Sequence, residues 1–479
     1  MSNLKIYNTL THKKDLFKPI KGKKVNLFVC GPTVYDYSHL GHARNYIIFD
    51  SFVKYLKHTG FDVFYLQNIT DIDDKIIARA REKGVAPKDL AVAFEKEYLK
   101  DMKTLGIDSV SKYARATNYI KEIISQIKRL QDKGYAYKID GDGIYYDISK
   151  FKNYGKLAGR TALGAEDAVS RIDYSKDKKN RGDFCLWKFK QEELEPSWKA
   201  PFGQGRPGWH IEDTAITEKF FGPQYDIHGG ARDLIFPHHE AEIAQMEAIS
   251  GKSPLVKYWM HVGFLTVNGQ KMSKSLGNFI IISDFLKRCP ANYLRFFVVK
   301  NLWSSPVDYS ESILIEIRSA VEKIEEFVRK VKSQNAKCKS SRQNAKFIKD
   351  FKIKFYKELE NDFNTPKAFG VMFEFINKIN ALLDPPSHKV SDGQSKNLIS
   401  KKEADEIYKL FQDIDKIFGI INFKKVNRVI PGGIKKLVKE REKYRKNKDW
   451  QKADQVRLQI EKQGFTVEDT SNGPAIKSI

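Results

Sequence analysis

A chain of 479 residues is long enough for three or four domains of roughly 100–200 residues each. Its 41% hydrophobic and 30% charged residues are a globular balance, which excludes a disordered polymer. The formal net charge of +24 favours a polyanionic partner, because each Lys or Arg near a phosphate releases condensed counterions; lysine-rich codon usage is the alternative source of the excess.

Four cysteines, Cys30, Cys185, Cys289 and Cys338, are widely spaced without a C-x-x-C pair. That is no disulfide framework and suits a reducing compartment. The opening MSNLKIYNTL has no apolar core of signal-peptide length, and no run reaches the roughly 20 apolar residues of a membrane span. The expectation is a soluble, cytoplasmic protein with no membrane partner.

In chain order, Val25–Cys30 (VNLFVC) is a short apolar run stopped by Gly31-Pro32 and reads as a buried strand. From about His39 to Lys57, Tyr46, Phe49, Phe52, Val53 and Leu56 recur at helical spacing, with Gly60 as the closing residue. A second strand over Phe61–Ile69 and a helix from Asp71 to Gly84 complete a strand-helix-strand-helix order, which predicts a doubly wound parallel sheet of Rossmann type. Between about 116 and 205, Gly-rich turns, aromatic β-like pieces and the charged stretch Ser175–Gly182 predict an insertion into that sheet domain. The α/β pattern resumes near Pro207. Beyond Asn301 the pattern is charged and helical, broken near 333–345 and at Asp384-Pro385-Pro386. Thr365-Pro366 reads as a helix start and Ser400 with Glu403 as a capping box, so a helical bundle is expected. After Pro431-Gly432-Gly433, helices over about 434–446 and 450–463 and a strand over Phe465–Glu468 form a small separate unit. Its run of lysines and arginines is of one sign and points to nucleic acid rather than to a merely solvated helix pair.

Two short patterns carry chemistry. Directly after the first strand, His39-Leu40-Gly41-His42 opens the helix, where free N–H groups and the positive dipole end favour phosphate. Far downstream, Lys271-Met272-Ser273-Lys274-Ser275 lies between Asn268-Gly269 and Gly277-Asn278. Two lysines on a loop with mobile flanks can close over a polyphosphate and offset its developing charge. Either pattern alone is weak; the pair is not.

These two patterns resemble the signature motifs of class I aminoacyl-tRNA synthetases. FVCGPTVYD (Phe28–Asp36), NITDIDDK (Asn68–Lys75), RPGWHIE (Arg206–Glu212), YDIHGG (Tyr225–Gly230), FPHHEAE (Phe236–Glu242) and the tail around Lys448-Asp449-Trp450 resemble the cysteinyl-tRNA synthetase family in particular. The resemblance covers essentially the whole chain. It implies domain limits of 1–115 and 206–250 for the two halves of the Rossmann catalytic domain and 116–205 for the insertion. Residues 251–308 become the stem-contact region with the lysine motif, 309–424 the helical bundle and 425–479 the anticodon-binding domain.

It also implies the reaction: the carboxylate of L-cysteine attacks the α-phosphate of ATP, brought with Mg²⁺, and the aminoacyl group passes to tRNA(Cys) with release of AMP and pyrophosphate. A carboxylate is already nucleophilic at neutral pH, so catalysis is positioning and charge stabilisation. By the resemblance, His39, His42, Lys271 and Lys274 are the catalytic groups, and Gly41 and Ser273 join them in holding ATP. Gly31, Thr70, Trp209 and His228 surround the cysteine, with plain packing the alternative for Thr70 and Trp209.

The family holds a zinc ion through two cysteines, a histidine and a glutamate, and the metal takes the substrate's sulfur. Cysteine and serine differ by one atom, which apolar pockets separate only weakly, whereas zinc prefers soft sulfur. Cys30, His238 and Glu242 match three ligands, and His238 and Glu242 share a helix face at i,i+4. The fourth position departs, since the family's cysteine is Asp213 here. A carboxylate ligates zinc with the same charge as a thiolate but is the harder donor, so a weaker Cys-Asp-His-Glu site is expected, with simple helix capping by Asp213 the alternative. Arg232 stands where a small residue belongs. Arg445, Trp450, Asp454, Arg457 and Asp469 fall where the family reads the anticodon, with Trp450 alternatively sealing the hairpin. A monomer is expected. The rivals are a cysteine ligase with an amino-sugar acceptor, a nucleotidyltransferase and a catalytically silent RNA-binding protein. The tail disfavours the first, the zinc-ligand residues the second and the intact motifs the third.

Overall fold

The computed structural model describes residues 3–159, 175–193, 195–272, 276–335, 340–383, 399–426, 431–470 and 473–478. Ser273, Lys274, Ser275, Cys338 and the break expected at Asp384-Pro385-Pro386 lie outside them. No helix among the described residues is long and apolar enough to cross a membrane.

After a hairpin of β1 (Lys5–Asn8) and β2 (Lys13–Leu16), the central sheet is built from β3 (Lys24–Val29), β4 (Asp62–Ile69), β5 (Lys112–Arg115), β10 (Tyr225–Ala231) and β11 (Val256–Val262). Its order is β11-β10-β3-β4-β5, and every pairing is parallel. Strands covered on both faces read as nearly continuous apolar runs, as VNLFV in β3 does. The first strand of the sheet thus sits in its middle, with β4 on one side and the late β10 on the other. At that reversal the connections leave in opposite directions and open a crevice at the carboxyl ends of β3 and β10. The sheet also runs past the expected limit of 250, because Val256–Val262 adds an edge strand.

Helix α1 (Leu40–His58) follows β3, and α2 (Asp74–Lys83) and α3 (Pro87–Thr104) follow β4. α2 begins three residues later than expected because Asp73 caps it by accepting from the Lys75 N–H, and Gly84 ends it in the left-handed conformation. The insertion contains α4 (Ile120–Asp132) and an antiparallel sheet of β6 (Ala136–Ile139), β7 (Gly143–Tyr146), β8 (Phe184–Phe189) and β9 (Gly205–Pro207). Two helices then face the crevice: α5 (Ile211–Phe221) and α6 (His238–Ser250). The small sheet of β12 (Leu265–Val267), β13 (Gln270–Lys271) and β14 (Val307–Tyr309) carries the start of the lysine motif.

Helices over Glu311–Ser333, Arg342–Glu360, Thr365–Leu383 and Lys401–Phe418 make the expected bundle, and Ser400 with Glu403 forms the expected capping box. Bundle and sheet domain share one apolar core. A buried polar staple crosses the same junction: the Arg295 guanidinium donates to Asp50 Oδ2 (2.8 Å), to the Phe418 carbonyl (2.5 Å) and to the Leu105 carbonyl (3.0 Å). The C-terminal unit has its own core around Ile434, Val438, Val456, Ile460, Phe465 and Val467. Its helices span Gly432–Lys446 and Trp450–Lys462. The expected single strand is one arm of a hairpin, Phe465–Thr470 with Gly473–Ser478.

Replacing Arg295 by Ala strips Asp50 of a buried partner and should lower unfolding stability by about 3–5 kcal/mol in urea denaturation; a loss below about 1 kcal/mol would contradict the role given to this staple.

Candidate active site and metal centre

One end of the crevice is built on a cap made from two histidines. His39, in extended conformation just before α1, accepts the Gly41 N–H on its Nδ1 (3.0 Å). His42 Nδ1 accepts the His39 N–H (3.3 Å), and the rings stack with centroids 4.0 Å apart. Burial holds His39 down to about 4, and burial with the neighbouring His39 takes His42 well below the ordinary histidine range. Both rings are therefore neutral at physiological pH. With each Nδ1 used as an acceptor, the single proton of each ring sits on Nε2, a donor suited to phosphate oxygen.

A Cβ on Gly41 would meet the His39 ring at 2.8 Å, so the glycine is needed for the cap itself as well as for any ligand's approach. The next atom it would meet is Met272 Cε, at 3.4 Å. The two motifs, remote in sequence, are thus neighbours in the structure. The Leu40 N–H donates to the Ile280 carbonyl and the Ile282 N–H to the Ser38 carbonyl, which straps the segment after the lysine motif to the start of α1. Lys271 is exposed beside this junction.

At the other end of the crevice, Cys30 follows β3 and is 5% exposed. Its Sγ lies 3.1 Å from His239 Nε2, 3.3 Å from His228 Nε2 and 3.4 Å from Asp213 Oδ2. His238 Nε2 is 3.1 Å from Asp213 Oδ2 and 3.3 Å from Glu242 Oε1. Among the described residues two overlapping groups bring their donor atoms within 4.8 Å of one another: Cys30, Asp213, His238 and Glu242, and Cys30, His228, His239 and Glu242. All four residues of the expected ligand set therefore converge. Both oxygens of Glu242 are buried without a hydrogen-bond partner. Burial, then the charges of Asp213 and Glu242, raise the Cys30 thiol well above its usual range; burial, Asp213 and Glu212 do the same to Glu242. Such a concentration of acidic donors is unfavourable without a cation and fits one well: sulfur, imidazole nitrogen and carboxylate oxygen are the donors of zinc sites.

The surrounding contacts orient these donors. His238 Nδ1 pairs with His210 Nδ1 (2.8 Å), and His239 Nδ1 with His261 Nε2 (2.7 Å), which leaves each Nε2 turned inward. His228 Nδ1 meets the Tyr225 hydroxyl at 2.7 Å. The remaining expected substrate residues line the same space: Trp209 stacks on His238 at 4.2 Å, and the Thr70 hydroxyl donates to Glu212. The Gly31 N–H is already given to Asn68 Oδ1, at 2.5 Å. Arg232 is exposed, and its charge adds to the burial that holds His261 below the ordinary histidine range.

His239 and Asn68 are not anticipated from sequence. His239 lies one step round the helix from the His238–Glu242 stripe and reaches Cys30 Sγ, at 3.1 Å, through the placement of that helix over the end of β3. In the C-terminal unit, Arg445, Trp450, Asp454 and Arg457 reach the surface, with Trp450 56% exposed under the Arg445 guanidinium at 5.6 Å, so Trp450 does not seal the hairpin. Asp469 is held by Arg441 through both oxygens (2.9 and 3.0 Å) and by Arg445 (3.1 Å).

Family models agree with this layout. The class I (C) tRNA synthetase catalytic domain matches residues 16–319, the DALR domain 354–422 and the cysteinyl-tRNA ligase anticodon-binding domain 427–473. A parallel sheet with a histidine-capped helix at its reversal, strapped to a lysine loop, is thus the catalytic core of a class I tRNA synthetase. The chain is 43% identical to the cysteine–tRNA ligase of Thermococcus gammatolerans over 99% of both chains. It is 44% identical to that of Thermoplasma volcanium over 97% of both, and 40% identical to that of Clostridioides difficile over 99% of this chain and all of the other. The chain belongs to the cysteine–tRNA ligase family. A solved Mycobacterium tuberculosis methionyl-tRNA synthetase in complex with methionyl-adenylate shares the fold, with a TM-score of 0.60 at 14% identity, covering 83% of this chain and 90% of that one.

Zinc binding to the metal-free protein should tighten as the pH rises from about 6 to 8 and should release protons. Cys30 and Glu242 hold their protons above their usual ranges and must lose them, whereas burial already keeps His228 and His239 neutral. Calorimetric titration in buffers of different ionisation heat measures this; a pH-independent affinity would contradict it.

Proposed function

We infer that this chain activates L-cysteine with ATP and transfers it to tRNA(Cys), using the two ends of one crevice. The observation that carries this reading is the coexistence of a histidine-capped helix start and a buried thiol–carboxylate–imidazole cluster on neighbouring carboxyl ends of one sheet. The neutral Nε2–H groups of His39 and His42 donate to ATP phosphate oxygens. Lys271 and Lys274 neutralise the charge that gathers on the leaving pyrophosphate, and Ser273 adds a donor. Gly41 lets the nucleotide approach the start of α1. The substrate's carboxylate needs no base; it needs only to be held in line with the α-phosphate.

In this reading Cys30, Asp213, His238 and Glu242 hold zinc, which when bound supplies a soft partner for the substrate's sulfur that serine's oxygen does not match. Trp209, stacked on His238, and Thr70, fixed by Glu212, shape the pocket above, while His228 backs Cys30. The exposed Trp450, Asp454 and Arg457 and the half-buried Arg445, together with Asp469, face the anticodon, where arginine forks and aspartates read the edges of unpaired bases and the indole stacks on them. All these groups come from one chain, so the working unit proposed is a monomer, and Cys30, Cys185 and Cys289, none of them in a disulfide, suit the cytoplasm.

Chelation should abolish cysteine-dependent ATP–pyrophosphate exchange, and added zinc should restore it with close to one equivalent per chain by elemental analysis. Full exchange in zinc-free protein would overturn the metal assignment. Asp454→Ala should lower tRNA charging about tenfold or more while leaving that exchange intact; equal loss of both would overturn the anticodon assignment.

A further inference from the structure

An aspartate in place of a cysteine ligand raises a problem of geometry. A thiolate offers one donor atom, whereas a carboxylate offers two. Both oxygens turned to one ion would fill the position that the substrate's sulfur needs. An oxygen turned away in a buried site must find a hydrogen bond. The structure contains the group that meets both demands. Asp213 Oδ1 accepts from Asn68 Nδ2 at 2.5 Å, while Oδ2 lies among the donors, 3.1 Å from His238 Nε2 and 3.4 Å from Cys30 Sγ.

Asn68 cannot turn its amide round. It is 2% exposed, and its Oδ1 accepts the Gly31 N–H at 2.5 Å. A backbone N–H only donates, so the oxygen of the side chain must face Gly31 and the NH₂ must face Asp213. The parallel pairing of β3 with β4 sets this up. Val29 lies opposite Gln67, and the next residues along are Cys30 and Asn68. Gly31 can sit there only as glycine, since a Cβ would come within 1.7 Å of the Asn68 carbonyl oxygen. One side chain therefore ties the loop carrying Cys30 to the helix carrying Asp213.

We propose that Asn68 is the positioning residue that makes Asp213 a one-oxygen ligand, holding Oδ1 aside so that Oδ2 alone faces the metal and a position stays open for the substrate's sulfur. This rests on the zinc reading above. The test is a double-mutant comparison on the full chain, with zinc affinity by competition against a chromophoric chelator and the visible spectrum of the cobalt-substituted protein as readouts. Asn68→Ala should weaken zinc about 10–100-fold, as loss of a ligand's hydrogen-bond partner does. It should also change the cobalt ligand-field bands and remove the additional sulfur-to-cobalt charge transfer that L-cysteine induces in the parent protein. In an Asp213→Cys background, where no second oxygen needs holding, the same change should cost less than about threefold. Asn68→Asp, which keeps an acceptor for Gly31 but offers Asp213 no N–H at neutral pH, should reproduce the Ala result and covers the case in which Asn68→Ala fails to fold. Equal losses in both backgrounds would show that Asn68 acts only through the Gly31 backbone and would overturn the proposal. Parent protein that binds neither zinc nor cobalt would instead overturn the zinc reading beneath it.

Discussion

The parallel pairing of Lys24–Val29 with a strand on each side governs the whole site. Because β3 is first in sequence but central in space, its carboxyl end is the place where the chain leaves for α1 and where β10, arriving much later, ends beside it. Everything with chemical purpose is hung from that point. His39 starts the helix after β3, Cys30 ends the strand and His228 lies on β10. The helices carrying Asp213, His238 and Glu242 flank β10 in sequence, one before it and one after. Slip the β3–β4 register by one residue and Asn68 no longer faces Gly31.

The crevice divides electrostatically into two halves with opposite needs. At the end built on His39 and His42, neutral, desolvated histidines present N–H groups, which suit an anion that brings its own charge. At the far end a thiol and two carboxylates crowd together, and Glu242 has no hydrogen-bond donor of its own. A protein that kept such a cluster for stability alone would gain by replacing it with apolar groups. A cation, as proposed above, would offset this crowding of acidic donors. The +24 net charge acts on a third scale and favours a polyanionic partner, while discrimination is the part proposed for the side chains of the C-terminal helix hairpin.

Much of this was legible in the chain itself. The β3–α1–β4 order follows from apolar runs and glycine stops, and the Ser400–Glu403 box from local capping rules. The motifs with His39 and Lys271 and the ligands Cys30, His238 and Glu242 stand out because their spacing matches a known pattern. What was not legible depends on long-range pairing. His239 reads as a neighbour of a ligand until α6 is placed over the end of β3. Asn68 reads as an ordinary strand residue until its amide is seen between Gly31 and Asp213. The anchoring of Asp469 by Arg441 joins the helix Gly432–Lys446 to the strand Phe465–Thr470, a pairing that no local spacing fixes. The edge strand Val256–Val262 was missed for a related reason: a buried apolar run after a proline turn does not reveal which sheet it will join.

X-ray absorption at the zinc edge, on protein with and without L-cysteine, bears most directly on the metal proposed at Cys30, Asp213, His238 and Glu242. That ligand set predicts a single sulfur neighbour at about 2.3 Å in the free protein, with nitrogen and oxygen completing the shell, and one further sulfur on addition of L-cysteine but not of L-serine. Two sulfurs before any substrate is added, or no change with L-cysteine, would contradict it.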